Sequence, residues 1–206
     1  MRYWIYRFLL WLTFPLWLYY SYRRCRQSDL VRGCWRELWG FRLPKLSAGG
    51  VWVHAVSLGE AQVALHLMRQ LRQQYPQLPL FFTAGNRSAL AVVTQAQDFV
   101  SLPQVATSYL PLDYAWIRQR LFSAIQPSLL VLIETELWPN LLMTAHQRHI
   151  PIAMIQARVS RRSKEFYPRY MQPLLGQLLS PVKHLAAQTE EYRQFFVAMC
   201  ANATNC

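Results

Sequence analysis

VWVHAVSLGEAQ, residues 51–62, decides how the rest of the chain reads. Val51 to Val56 form a short apolar run. A Ser-Leu-Gly turn then hands over to a helical pattern that opens on Glu60 and continues to residue 74. A strand delivered directly into a helix is the first part of a βαβ unit. The rhythm recurs downstream, with candidate strands at 78–84, 107–111, 129–133, 151–156 and 184–188. Helical patterns fill 87–97, 114–124, 138–148, 165–179 and 190–198. Continuous apolar strands alternating with helices predict a parallel sheet covered on both faces, a doubly wound α/β architecture.

In such a sheet, ligands sit outside the carboxyl ends of the strands, where loops converge and helix N-termini point inward. Glu60 meets that condition. A carboxylate in the first helical turn interacts favourably with the positive end of the helix dipole, worth about 0.3–1 kcal/mol, and held there it can serve as a general base. The spacing from Ser57 to Glu60 is equally that of a capping box, which needs no catalytic role. A second signal is LVLIETELWPN, residues 130–140, where a strand runs straight into Glu134 and Glu136 before Pro139 starts a helix. These carboxylates face the crevice of Glu60 if the two strands are neighbours. Otherwise they are dipole-compensating acids. The third is QARVSRRSKEFY, residues 156–167, whose Arg158, Ser160, Arg161, Arg162, Ser163 and Lys164 suit either a phosphate or carboxylate ligand or a solvated basic turn.

Other chemistries lack their signatures. No GxGxxG follows the first strand and no GxxxxGK[ST] occurs, so a dinucleotide or P-loop site is unsupported. GxSxG is absent, and Ser57 has no evident triad partners. His146 and His149 share a helical face without a third ligand, so no metal is expected. His54, alternating with Val53 and Ala55, reads as a satisfied core histidine. Cys25, Cys34, Cys200 and Cys206 form neither a CxxC pair nor a zinc knuckle, and are expected as unpaired thiols in a reducing compartment.

Charge and hydropathy set the first 50 residues apart. Of the 206 residues, 22 are Lys or Arg and 10 are Asp or Glu, a formal net charge of +12. Residues 1–45 carry net +7 of that, flanking the apolar and aromatic stretch Trp4 to Tyr22. Basic flanks around an apolar segment favour an anionic bilayer over DNA, so no nucleic-acid partner is expected. The length matches a hydrocarbon core of ~30 Å. No cleavage site follows, and Arg23, Arg24 and Arg26 on the C-terminal side place the remainder in the cytoplasm. A membrane anchor helix over residues 1–22 is therefore expected. It spans the bilayer or, given Arg7 and Pro15, lies in the interface. Residues 23–50 read as a basic connector ending in PKLSAGG, and residues 51–206 as the α/β domain.

Together, HAVSLGE, YLPLD, LVLIETELWPN, IPIAMIQARVSRRS and LAAQTEEYRQFFVAM resemble the lipid A Kdo transferases, the 3-deoxy-D-manno-octulosonic acid transferases. The resemblance runs from the hydrophobic N-terminus and WRELWGF to about Met199. It implies the Rossmann-like N-terminal half of a two-domain GT-B glycosyltransferase on the cytoplasmic face of the bacterial inner membrane. The reaction it implies moves Kdo from CMP-Kdo to lipid IV-A with inversion, without a cofactor. In that frame Glu60 is the general base and Glu134 the transition-state stabiliser. Ser57, Gly59, Arg158, Ser160 and Ser163 are acceptor contacts. Glu136 and Asn140 match the motif without a separate role.

Three departures qualify the match. Gln156 stands where the family usually has Asn, and FFTAGNRSAL lacks the Thr-rich pattern expected after the second strand. The chain also ends at MCANATNC, where the family continues into a donor-binding half, so the 206 residues alone are expected not to turn over. The rival expectation is a non-catalytic, membrane-tethered module that binds an anionic lipid or a partner through the same crevice.

Overall fold

A computed structural model of the protein describes residues 3–26 and 31–199. Cys200 and Cys206 lie outside them. Six parallel strands form one sheet: β1 Val51–Ala55, β2 Leu80–Ala84, β3 Val105–Tyr109, β4 Leu129–Ile133, β5 Ile152–Ala157 and β6 Val182–Ala187. Their order is β3-β2-β1-β4-β5-β6, the doubly wound Rossmann-like order. The chain winds one way from β1 to β3, then returns to the other side of β1 with β4, so the switch point lies between β1 and β4.

Alternation along the strands explains why both faces are covered. Trp52, Phe81, Leu130 and Leu132 point to one face and pack against Leu121, Phe122, Leu141, Leu142, Leu174 and Phe196. Those partners come from α7 Ala115–Ile125, α8 Pro139–Gln147, α10 Gln172–Leu179 and α11 Glu190–Met199. Val51, Val53, Phe82, Val131 and Ile133 point to the other face, against Ala64, Met68, Val93 and Phe99. These belong to α4 Leu58–Gln74, α5 Arg87–Thr94 and the short α6 Gln97–Val100. The apolar positions of the central strands therefore bury area on both sides of the sheet, about 25 cal/mol per Å² removed from water.

Two expected helices divide. The pattern at 87–97 splits into α5 and α6. The pattern at 165–179 becomes α9 Arg161–Phe166, a π-helical turn Tyr167–Met171, and α10. Pro168 and Pro173 supply no N–H for a continuous α-ladder, which accounts for the second break.

The N-terminal segment departs most from expectation. It folds as α1 Tyr3–Leu12 and α2 Phe14–Arg26, joined at Thr13, where Pro15 leaves the Trp11 carbonyl without its helical donor. At 1.5 Å per residue these helices are roughly 15 Å and 20 Å long. No helix among the described residues is long and apolar enough to cross a membrane, so the expected spanning helix is not present. α1 instead packs on the domain. Leu10 is buried with Leu38, Trp39, Tyr114 and Ile117, and its carbonyl accepts the Tyr114 hydroxyl at 3.0 Å.

The basic segment after α2 is also structured. α3 Val31–Leu38 ends through Gly40, whose φ of +64° lets Phe41 N–H return to the Arg36 carbonyl at 2.6 Å. Cys25 and Cys34 are joined in a disulfide with Cα atoms 5.6 Å apart, tying α2 to α3. That corrects the expectation of unpaired thiols. The two lie nine positions apart, too far for any CxxC pattern to signal the bridge.

Candidate active site

β1, β4 and β5 are consecutive in the sheet, so their carboxyl ends bring all three sequence signals to one edge. A cleft of about 380 Å³ opens there, lined by Glu134, Glu136, Arg158, Ser160, Ser163 and Tyr192 among others. Glu60 is recessed beside it. Its side chain is only 6% exposed and is not part of the lining, yet its charge acts on both Glu136 and Arg158.

One half of the capping box is formed, and the reciprocal bond shifts one residue back, from Ser57 to Val56. Ser57 Oγ accepts the Glu60 N–H at 3.3 Å, and Glu60 Oε2 accepts the Val56 N–H at 2.8 Å, fixing the carboxylate across the strand-to-helix turn. Oε1 has no hydrogen-bond partner among the described residues, so one oxygen is held while the other stays available. Gly59 lies in the first turn of α4, and nothing approaches within 4 Å of where a Cβ would stand.

Glu134 has a φ of +64°, a left-handed conformation that a residue with a Cβ enters only at a cost of about 1–3 kcal/mol. Its N–H is held by the Ile155 carbonyl at 2.8 Å, and its Oε2 accepts Arg158 Nε at 2.7 Å. Hydrogen bonding to Glu134 pushes the Arg158 guanidinium further up from its ordinary value. Thr135 Oγ1 clasps Arg158 from behind, accepting its N–H at 3.2 Å and donating to its carbonyl. Gln156 sets this up. It is the unpaired residue of a bulge between β5 and β6, exposed, with a φ of +57°. The bulge turns the following residues so that Ala157 is buried and Arg158 faces Glu134. Ser160 caps α9 by accepting the Ser163 N–H at 3.1 Å, and the two hydroxyls lie 2.8 Å apart. Ser57, Ser160 and Ser163 are thus engaged in helix starts at the same edge.

Glu136 differs from Glu134. Burial, followed by the charges of Glu60 and Glu134, pushes its carboxyl up to about 7, against the opposing hydrogen bond that Trp138 Nε1 donates to Oε2 at 2.8 Å. Behind it stands His54, fully buried, with Nδ1 2.9 Å from the Thr83 carbonyl. Burial lowers the His54 imidazole to about 3. Its Nε2 is sealed and unpartnered, 4.0 Å from Glu136 Oε2. The sequence reading of His54 as a satisfied core residue therefore holds for one ring nitrogen and fails for the other.

Asn140 and Asp113 belong to a buried hub that the sequence did not reveal. Asp113 accepts the backbone N–H groups of Asn140 at 2.8 Å and Leu141 at 3.0 Å, seating the N-terminus of α8. It also accepts Arg118 Nε at 2.8 Å and the Tyr6 hydroxyl at 2.9 Å. The Asn140 amide bonds the Asp113 carbonyl and takes the Tyr3 hydroxyl. A lone Asp in YLPLD gives no sign of partners 27 and 107 residues away. Among the described residues, no group of three or more His, Cys, Asp or Glu could hold a metal ion.

An open parallel sheet with carboxylates and a guanidinium gathered at the carboxyl ends of adjacent strands defines a Rossmann-like α/β domain. The fold is similar to a crystal structure of UDP-N-acetylglucosamine 2-epimerase, at a TM-score of 0.50 and 16% identity, covering 77% of this chain and 47% of that one. The family model of the 3-deoxy-D-manno-octulosonic-acid transferases (kdotransferases) matches residues 33–206, and the chain belongs to that family. The 3-deoxy-D-manno-octulosonic acid transferase of Haemophilus influenzae is 36% identical over 139 residues, covering 68% of this chain and 31% of its own length. The Bordetella pertussis enzyme is 32% identical over 185 residues, covering 85% and 41%. The chain thus spans 31% to 41% of the length of these relatives.

Proposed function

We propose that this chain is the acceptor-side part of an inverting glycosyltransferase that moves Kdo from CMP-Kdo to a hydroxyl of lipid IV-A. The observation that carries the reading is the meeting of Glu60, Glu134 and Arg158 at the ends of three adjacent strands in a chain of this family. Glu60 acts as general base. Its Oε2 is pinned to Val56 N–H, which leaves Oε1 to take the proton of the attacking sugar hydroxyl. Glu134, oriented by Arg158, places negative charge beside the oxocarbenium-like centre that develops as CMP departs. Arg158, with the Ser160 and Ser163 hydroxyls that line the same cleft, faces the acceptor's anionic groups.

The exposed face of α1 and α2 supports attachment at the cytoplasmic face of the inner membrane by lying in the interface. Trp4, Phe8, Leu12 and Leu16 are each more than 60% exposed, and Arg23 and Arg26 follow on the same segment. An apolar helical face with basic flanks suits an anionic leaflet without crossing it.

The test is CMP release from CMP-Kdo with lipid IV-A present, in the complete polypeptide that carries this sequence. Glu60→Gln lowers kcat by about 10²–10⁴ while co-sedimentation with acceptor-containing vesicles persists. Undiminished turnover by Glu60→Gln removes the base. Absence of CMP release from the parent protein removes the transferase reading and leaves the lipid-binding module.

A further inference from the structure

The arrangement behind the cleft poses a hydrogen-bonding problem that its visible partners do not solve. His54 Nδ1 lies 2.9 Å from the Thr83 carbonyl, an oxygen that only accepts, so the imidazole hydrogen belongs on Nδ1. Nε2 is then a lone pair. It is sealed from solvent, it has no partner, and it faces a carboxylate oxygen 4.0 Å away. An ionised Glu136 would set acceptor against acceptor inside the protein, the arrangement that buried polar groups avoid. A proton on either group relieves that repulsion, while the 4.0 Å separation leaves the two without a direct hydrogen bond. The surroundings choose between the two. His54 is completely buried, and the Arg118 charge also opposes an imidazolium. Glu136 sits beside the negative charges of Glu60 on α4 and Glu134 on the β4–α8 loop.

We propose that Glu136 is a positioning residue that gains a proton as pH falls through neutrality, its neutral carboxyl accepting the Trp138 indole N–H and facing the unpartnered His54 nitrogen. The charged and titratable groups around it are Glu60, Glu134, His54 with Arg118 behind it, Arg158 just past β5, and Tyr192 from α11. With Glu136 neutral, Glu134 and Arg158 form a closed ion pair, and Glu60 is left as the unpaired anion of the edge. Ionising Glu136 adds a negative charge that competes for Arg158 and repels an anionic ligand. This last consequence rests on the transferase reading. The protonation state itself does not.

The experiment has two arms. In the first, carbon-13 and nitrogen-15 NMR follows the carboxyl and imidazole groups of the 206-residue chain from pH 4 to 9. One glutamate carboxyl titrates near 7 and vanishes in Glu136→Gln, while His54 remains neutral with its hydrogen on Nδ1. Trp138→Phe, which removes the indole donor, moves that titration upward. A second route to the same result is thereby kept if the Gln variant does not fold. Glu136 titrating in the ordinary carboxyl range, His54 protonating near 6.5, or His54 carrying its hydrogen on Nε2 overturns the proposal.

In the second arm, the pH profile of kcat/KM is measured by CMP release in the complete polypeptide. Titration at about 7 leaves roughly a tenth of Glu136 protonated at pH 8, so the rate at pH 8 falls about 10-fold relative to pH 6. In Glu136→Gln the ratio of its own two rates loses that fall. An alkaline fall that persists in the variant refutes the role in positioning. No CMP release at any pH refutes the transferase reading and leaves the NMR result to stand or fall separately.

Discussion

Replacing Asp113 with Asn tests whether the buried hub holds the cleft together. Asn keeps the shape and removes the charge. Arg118 is fully buried, its Nε donates to Asp113, and Nη1 and Nη2 have no partner, so Asp113 is its only ionic partner among the described residues. Breaking a buried pair from one side leaves an uncompensated charge, at about 3–5 kcal/mol. Arg118→Met is milder. Asp113 still accepts from Asn140 N–H, Leu141 N–H and the Tyr6 hydroxyl, so the loss is one charge-assisted bond, about 1.5–3 kcal/mol. The double variant has no stranded guanidinium and falls short of the sum by at least about 2 kcal/mol. Urea unfolding of all four proteins at pH 7, followed by tryptophan fluorescence and far-UV circular dichroism, closes the cycle. A cost below about 1 kcal/mol for Asp113→Asn, or additivity within about 0.5 kcal/mol, refutes the reasoning.

Other consequences are open to measurement. Because the Glu136 carboxyl is raised to about 7 by folding, the native state holds a proton that the unfolded chain releases near 4.5, so this residue's contribution to stability is lost as pH rises through that window. Glu136→Gln is therefore more stable than the parent by about 2–3 kcal/mol at pH 8 and by almost nothing at pH 4, and a difference independent of pH in urea titrations contradicts this. His54 has the opposite sign: its lowered value gives stability that disappears as pH falls from 6.5 towards 3, so the two residues offset each other between about 4.5 and 6.5. Gln156→Asn places a residue tolerant of positive φ at the bulge and raises the midpoint of urea unfolding by the equivalent of about 0.5–1 kcal/mol, whereas a loss there means the Gln side chain has a role of its own. Reducing the Cys25–Cys34 bridge loosens the α2–α3 pair by about 2–3 kcal/mol for a closed loop of this size, read as faster amide exchange in α2 and α3 with β1 and β4 unchanged.

What the sequence revealed follows from how far each signal reaches along the chain. The central strands β1, β2 and β4 were legible because their apolar runs are buried from both faces of a parallel sheet, whereas β3 and β6 are only partly buried. Residues 129–133 coincide with β4, and the other strands shift by only a few residues at their ends. The meeting of HAVSLGE with ETELWPN depended on β1 lying next to β4, which the parallel topology supplied. The Asp113 hub stayed hidden because its partners come from α1, α7 and α8, and no local spacing links them. The disulfide was missed for the same reason. Trp4 to Tyr22 left a spanning and an interfacial helix both open, because hydropathy alone does not say whether Pro15 bends one helix or divides it in two. The departure at position 156 acquires a cause only with the bulge: a left-handed residue sits where Asn is tolerated better than Gln.

Tyr3 and Tyr6 carry a practical warning. Their hydroxyls end on the Asn140 and Asp113 side chains that seat α8, directly behind Glu136 and Trp138. Trimming the apolar first helix to improve expression would take two donors from that seat, so an inactive shortened protein would report on a damaged floor beneath the cleft before it reported on anything the helix itself binds.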